Sequence, residues 1–597
     1  MDIDVSQARR LADLISASVS RLEDVDSKSR RQQTEVQTIV SAATQLAALV
    51  RPPAQVLLEV ATGFTLSAAL RLVVEANVPE VIRALTSSLT QAPSADDSGV
   101  GLIEENEFGL GEGDAEGVAI GDISRLCGVE AGKLERVLRL LATHHIFVEC
   151  PPGEARFANN RLSAALDSGV ELQEDLLPAQ GDPQSLSSSS QLSEMRKRWA
   201  AKYGAEAPGA GLAALVGILT DESMFHVTAL TEVLLGAAPD TPSLPTSVSP
   251  SNGEGKETEI NENENENEKT LEPKYDSESP YNAPFSRARS LPHTTMFEWL
   301  GLPTNAHRLH RFGCAMRGTN ALEGEGAILK GFDFTALPPG SVVVDVGGGV
   351  GAASLPVLRA NAHLRLVVQD TEEVVRVAPG FWERHYPSAL YSGRVKFEVQ
   401  DFFEAQPHPG DYFPESDTGG KLAVYVYLLR MIAHNWGDSH CLRILERLRC
   451  AVGEKKGRGE TRLVLVDSVL MPACRNRSRE CKDRDSSMDV DADARKMTHD
   501  RTGAKEIKKS MMKIIREAPE PLLPNWGAAN ALAYKFDLIM LANHNALERT
   551  LPHFHSLLSR AGWEIVEVHT RDEREAGAGA GAGESWMSQI VAVPAAV

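Results

Sequence analysis

Seven apolar runs of strand length recur through the second half of the chain, with helical stretches between most of them. They are VVVDV (342–346), LRLVVQD (364–370), VKFEVQD (395–401), AVYVYLL (423–429), RLVLVD (462–467), EIVEV (564–568) and QIVAV (589–593). Uninterrupted apolar runs of this length suit strands that are covered on both faces, and their alternation with helices is the signature of a doubly wound α/β sheet. The last two runs are separated by a Gly/Ala tract (GAGAGAGAG) too simple to supply a crossover helix. They should therefore pair antiparallel at the sheet edge.

The remaining sequence divides around this sheet. At 597 residues the chain is too long for one ordinary core, and roughly three or four units are expected. Residues 1–50 read as an N-terminal helical segment closed by Pro52-Pro53. Within 51–170, the stretch 118–166 has the order of a winged helix-turn-helix: a helix carrying Ile123 and Leu126, a Gly128 turn, a helix with Leu134, Val137, Leu138 and Leu141 on one stripe, then two short strands around Pro151-Pro152-Gly153. The second helix mixes Glu130, Glu135, Lys133, Arg136 and Arg139 on its polar face, which suits a solvated surface better than a DNA-reading one. Residues 171–280 hold Ser-rich and NENENENE sequence and read as a largely disordered insertion around a short helical patch. Residues 281–340 read as a helical segment covering the substrate, and 341–597 as the α/β domain, with a charged insertion at 474–512.

Charge and cysteine content narrow the function. A formal net charge of −21 disfavours nucleic acid as a partner, because phosphate binding relies on clustered Lys and Arg. No unbroken apolar run reaches the ~20 residues of a membrane span, GLAALVGIL (211–219) being the nearest, and the N-terminus lacks a secretory pattern. Seven scattered cysteines form no CxxC pair, so no metal is expected and the protein should be cytoplasmic.

Chemistry enters at VVVDVGGGVG, where Gly347, Gly348, Gly349 and Gly351 let the backbone turn sharply and approach a ligand. Asp370, ending the second strand, can hold both hydroxyls of a ribose, a test that NAD would pass equally well.

VVDVGGGVG, VVQD, VKFEVQDFF, YLLRMIAHNWGD, VDSVLMP and DLIMLANHNALERT, in that order and spacing, resemble plant caffeic-acid-type and fungal secondary-metabolite O-methyltransferases. The resemblance covers about 51–170 and 281–597. It implies a Rossmann-like methyltransferase domain that uses S-adenosyl-L-methionine, an N-terminal winged-helix domain that dimerises, and a small phenolic or enolic acceptor. Carried over residue by residue, it puts Gly347, Gly348 and Gly349 at the methionine part of the cofactor, Asp370 at the ribose, and Asp401 and Phe402 at the adenine. Phe402 stands where Met is more usual, and Arg430 where the family has a cofactor-contacting Lys. His434 matches the general base, with Glu548 and Asp467 as its flanking acids. Many relatives carry Glu at the place of Asp467. Phe297, Met316, Trp526 and Met540 would line the acceptor pocket, although a core role suits each of them equally. The resemblance also leaves room for a relative that methylates nitrogen or is inactive, and a winged-helix DNA-binding regulator is the rival from another class.

Overall fold

The computed structural model describes residues 3–23, 30–90, 117–150, 154–172, 188–204, 210–235, 278–291, 293–322, 326–413, 424–452, 460–475, 517–570 and 587–595. The NENENENE tract, the Gly/Ala tract and nearly all of 474–512 lie outside these residues.

Three short strands, β1 (Val118–Ala119), β2 (Phe147–Glu149) and β3 (Arg156–Asn159), form an antiparallel sheet in the order β1-β3-β2 beside helices Ile120–Cys127 and Ala131–Thr143. Gly128 takes φ 69° and ends the first of these helices, and the Glu130 carboxylate caps the second by accepting the N–H groups of Gly132 and Lys133. Leu134, Leu138 and Leu141 face inward with Ile123, Phe147 and Phe157. On the outer face Arg139 is tied to Glu135 and Glu149.

The large sheet has seven strands: β4 (Val342–Val346), β5 (Arg365–Asp370), β6 (Val395–Val399), β7 (Tyr425–Arg430), β8 (Thr461–Asp467), β11 (Trp563–His569) and β12 (Ser588–Pro594). Their order is β11-β12-β8-β7-β4-β5-β6. All neighbours from β8 to β6 run parallel, while β12 is antiparallel to both β8 and β11. The seven apolar runs are these seven strands, and β11 closes the edge as an antiparallel strand. Alternate residues of β4 explain the continuous run: Val342, Val344 and Val346 enter one core with Leu463 and Leu557, whereas Val343 enters the opposite core with Leu366 and Trp382. A second, two-stranded parallel sheet pairs β9 (Val469–Leu470) with β10 (Arg549–Thr550).

Residues 171–280 contain more structure than their composition suggests. Ser188–Lys202 and Ala210–Ile218 are helices, and Trp199, Tyr203, Ala213 and Ala214 are buried in a core with Cys314 and Ala315. Trp199 and Tyr203 lie one turn apart and give an apolar face that the preceding Ser run hides from any window average. The backbone of Gly211 meets that of Gly318 so closely that a Cβ on Gly318 would lie 2.3 Å from the Gly211 carbonyl carbon. After Ile218 the chain widens into a π-turn, Leu219–Ser223, which buries Asp221 and Glu222 against Arg311 and Arg308.

Two helical stretches, Pro53–Glu75 and Ala210–Leu235, are long and apolar enough to cross a membrane by length and composition alone. Neither is an unbroken apolar run, because Glu59 and Arg71 fall within one and Asp221-Glu222 within the other.

Candidate active site

The carboxyl ends of β4, β5 and β7 converge on one corner of the sheet. There Gly347, Gly349 and Gly351 have φ of 66°, 61° and 81°, a region that a side chain makes costly. Gly351 also needs its missing side chain for space, since a Cβ would lie 2.9 Å from Trp382 and Val368. The Gly349 N–H donates to Asp370 Oδ2 at 2.8 Å and the Thr371 N–H to Oδ1 at 2.8 Å. Burial raises the Asp370 carboxyl above its usual range, against the pull of these two amides. Phe402 lies beside the turn, with its ring 3.5 Å from where a Gly347 Cβ would be. Asp401 is exposed, and its Oδ1 accepts the Phe403 N–H at 2.8 Å, which shapes the loop after β6.

Asp345, which sequence reasoning passed over, belongs to the same corner. It is buried at the end of β4, one oxygen has no hydrogen-bond partner, and burial pushes its carboxyl up to about 6. Ser354 and the charge of Arg430, at the end of β7, work against that shift. The available signal was an acid two residues before the glycine turn. A carboxyl with one unpartnered oxygen beside a turn stripped of side chains fits the amino group of a methionine moiety.

The second part of the site is assembled over a long sequence distance. His434 sits in the turn Ala433–Asn435 that follows β7. The parallel pairing of Val469 with Arg549 brings the end of β8, Asp467, toward Glu548, so the two acids meet around one imidazole. Glu548 Oε1 lies 2.9 Å from His434 Nδ1, and both residues are buried. Burial works against a charged His434, yet Glu548 and Asp467 together outweigh it and hold the imidazole above its usual value. Asp467 has no side-chain hydrogen-bond partner for either oxygen, and burial pushes it up to about 7 despite the attraction of His434 and the backbone of Ala433.

A row of aromatic rings links the two parts. Phe402 packs edge-on against Trp436 with centroids 5.9 Å apart, Trp436 faces Phe297 at 6.4 Å, and Phe297 stacks on His544 at 4.7 Å. His544 did not stand out in the sequence. It is buried at the end of helix Ala531–His544, and burial, reinforced by the charges of His434 and His226, holds its imidazole down to about 3. It is thus a neutral ring close to His434. Asn543, its neighbour, bonds His226 at 2.8 Å, and Arg289 donates to the other nitrogen of His226 at 2.8 Å. Met540 packs with Phe536, Ala546 and Leu219, and Met316 against the core of the 210–218 helix. Trp526 is placed elsewhere, among Leu11, Ala42, Ala518 and Leu522, where the N-terminal helices Val5–Glu23 and Arg30–Val50 cover it. Among the described residues no group of His, Cys, Asp and Glu is arranged to hold a metal ion.

Comparison with known proteins decides what this corner belongs to. Residues 278–518 match the O-methyltransferase domain family. An O-methyltransferase of Armillaria gallica is 30% identical over 584 residues, which cover 94% of this chain and 95% of that protein. The chain belongs to the O-methyltransferase family. It is an enzyme that depends on S-adenosylmethionine. A 4-O-methyltransferase of Phanerochaete chrysosporium is 29% identical over 535 residues, or 90% of this chain and 85% of the relative. A solved structure of LepI in complex with SAM superposes with a TM-score of 0.52 at 13% identity, over 98% of this chain and 99% of that one, which shows a shared fold. Within this O-methyltransferase the glycine turn is the place where the residues suit the cofactor.

Proposed function

We propose that this O-methyltransferase methylates a hydroxyl of a small phenolic or enolic secondary metabolite, with His434 as the general base. The observation that carries the reading is the 2.9 Å contact of Glu548 with His434 Nδ1 inside a buried pair of acids. A proton on Nδ1 is shared with Glu548, which leaves Nε2 as the nitrogen that can accept the acceptor's O–H. S-adenosylmethionine, when bound, supplies a methyl group on a sulfonium. Gly347, Gly348 and Gly349 would hold its methionine part with Asp345, and Arg430 would steady Asp345. Asp370 would hold the ribose, and Asp401 with Phe402 the adenine.

A phenol becomes a strong nucleophile only as its proton leaves, so a base close to the hydroxyl lowers the barrier. His434 gains a positive charge at that moment, and Glu548 and Asp467 stabilise it in a site that excludes water. The ring of Phe297 and the face of Trp436 suit a flat aromatic acceptor, and neutral His544 can hydrogen-bond a substituent without competing for the proton. Met540 and Met316 would line the farther wall. Trp526 would reach the acceptor only if the N-terminal helices moved aside.

We also propose a homodimer through the N-terminal region. Helix Pro53–Thr62 buries none of its residues and exposes Leu57, Leu58 and Val60, with Phe64 exposed just beyond it. Apolar surface of that size marks an interface. The ion pairs of Arg139 leave the polar face of helix Ala131–Thr143 poorly suited to nucleic acid. A cytoplasmic protein is part of the same proposal: the apolar window of Ala210–Leu235 is 61% buried within the chain, and Pro53–Glu75 would be covered by the second copy.

The test is incubation of the purified protein with methyl-labelled S-adenosylmethionine and a panel of phenols, their O-methylated analogues and arylamines. Label on the free phenols alone supports the reading. Label on amines, or on none of the panel, overturns it.

A further inference from the structure

Arg549 follows the acid Glu548 and is fully buried, yet the base chemistry as described gives it no task. Its guanidinium is committed on every side. Nη1 donates to the carbonyl of Ala433 at 2.7 Å, Nη2 to the carbonyl of Trp436 at 2.7 Å, and Nε and Nη2 both reach Asp438 Oδ1 at 3.0 and 2.9 Å. Ala433 and Trp436 bracket His434 at one residue before and two after. Asp438 is anchored in turn by His553 Nε2 at 2.6 Å. Consecutive residues thus grip one turn from two directions, Glu548 by the imidazole and Arg549 by the backbone.

The turn needs such a grip. Met431, three residues before His434, has φ 56°, a conformation that a non-glycine residue adopts at a cost unless its surroundings hold it there. Only a planar, always charged fork can bridge two carbonyls and a carboxylate at once.

We infer that Arg549 is a positioning residue for the methyl transfer, fixing the 433–436 turn and thereby the place of the His434 ring, and setting the charge around it. The inference rests on the reading of His434 as the base. The groups that face His434 are Glu548, Asp467 at the end of β8, Arg549 itself and neutral His544. The two acids favour a protonated imidazole and Arg549 opposes them. Loss of the Arg549 charge would keep His434 protonated to higher pH and so withdraw the base.

The experiment compares Arg549→Lys and Arg549→Gln, with Asp438→Asn as a milder variant whose side chain is partly exposed and whose folding is less at risk. Each is measured for thermal unfolding, S-adenosylhomocysteine affinity and the pH profile of kcat with a saturating phenol. Arg549→Lys should lower kcat about 100-fold, as expected for a misplaced base, without moving the acidic limb. Arg549→Gln should lower it at least as much and shift that limb to higher pH, whereas Asp438→Asn, which loosens the grip but keeps the Arg549 charge, should lower kcat more weakly without an upward shift of the limb. Cofactor affinity should stay within about threefold of the parent, because the glycine turn is untouched. The inference is overturned if folded variants keep the parent's kcat and pH limb, or if cofactor affinity falls in step with kcat. A His434→Ala control separates the two readings: parent-like turnover of that control removes the base itself, whatever Arg549 does.

Discussion

The two halves of the active site are built by opposite means. At the glycine turn, the proposed cofactor site, the backbone sets the geometry: three left-handed glycines clear space, and Asp370 is held by two amides. Around His434, the proposed base, side-chain charge sets it, with one hydrogen bond to Glu548 and the charge of Asp467. The first half should resist added atoms and the second should resist any loss of charge. A ligand held by fixed dipoles can be bound without chemistry, whereas a proton moved among buried charges affects rate more than binding.

Substitutions can break that division. The largest expected effect on binding is in the cofactor half. Asp370→Ala should weaken S-adenosylhomocysteine binding by roughly 2–3 kcal/mol, about 30- to 150-fold, since two ribose hydroxyls lose a charged acceptor. Calorimetry checks this, and equal affinity would remove Asp370 from the site. In the other half, Glu548→Gln should cost roughly tenfold in kcat, the worth of one charge-assisted hydrogen bond, while cofactor affinity stays unchanged.

Smaller effects sharpen the comparison. Gly349→Ala should lose only the left-handed backbone cost, about 1–2 kcal/mol, because nothing lies within 4 Å of its Cβ. Gly351→Ala should lower the melting temperature further, since it adds a collision with Trp382 to the same backbone cost. Similar melting temperatures would mean that the turn is less tightly packed than its geometry. The smallest effect is a pH dependence. Asp467 is raised to about 7, so its contribution to stability is full below the ordinary carboxyl value and is lost as pH rises through 7. Asp467→Asn should therefore raise the melting temperature at pH 8, on the order of a few degrees, and bring no gain at pH 5. A gain independent of pH would show that the buried charge is not the cause.

How much of this was legible in the sequence follows the same division. The sheet was readable because strands buried on both faces leave unbroken apolar runs, and VVVDVGGGVG carries its turn within ten residues. Gly347 to Phe402 span less than a tenth of the chain, so their order alone suggests one binding corner. The base half was readable only through resemblance, because His434 and Glu548 are 114 residues apart and meet through the pairing of β9 with β10. Nothing local in the sequence marks Arg549, since its carbonyl contacts come from tertiary structure. His544 owes its stacking to Phe297, far away in sequence, and its neutral state to burial. Trp526 was drawn toward the acceptor by its type, yet Leu11 and Ala42 of the N-terminal helices surround it, a contact that no local pattern announces. The helices within 188–235 were legible only as a short patch for a simpler reason, the low-complexity sequence on both sides of them.

The most direct test of the division is His434→Ala, measured for cofactor affinity by calorimetry and for turnover across pH with a phenol of known pKa. The account predicts unchanged affinity and a turnover at neutral pH lower by roughly 100- to 10,000-fold. Activity should return as pH approaches the acceptor's own pKa of about 10, where the phenol ionises without help. Near-parent turnover at neutral pH on an un-ionised hydroxyl would contradict it.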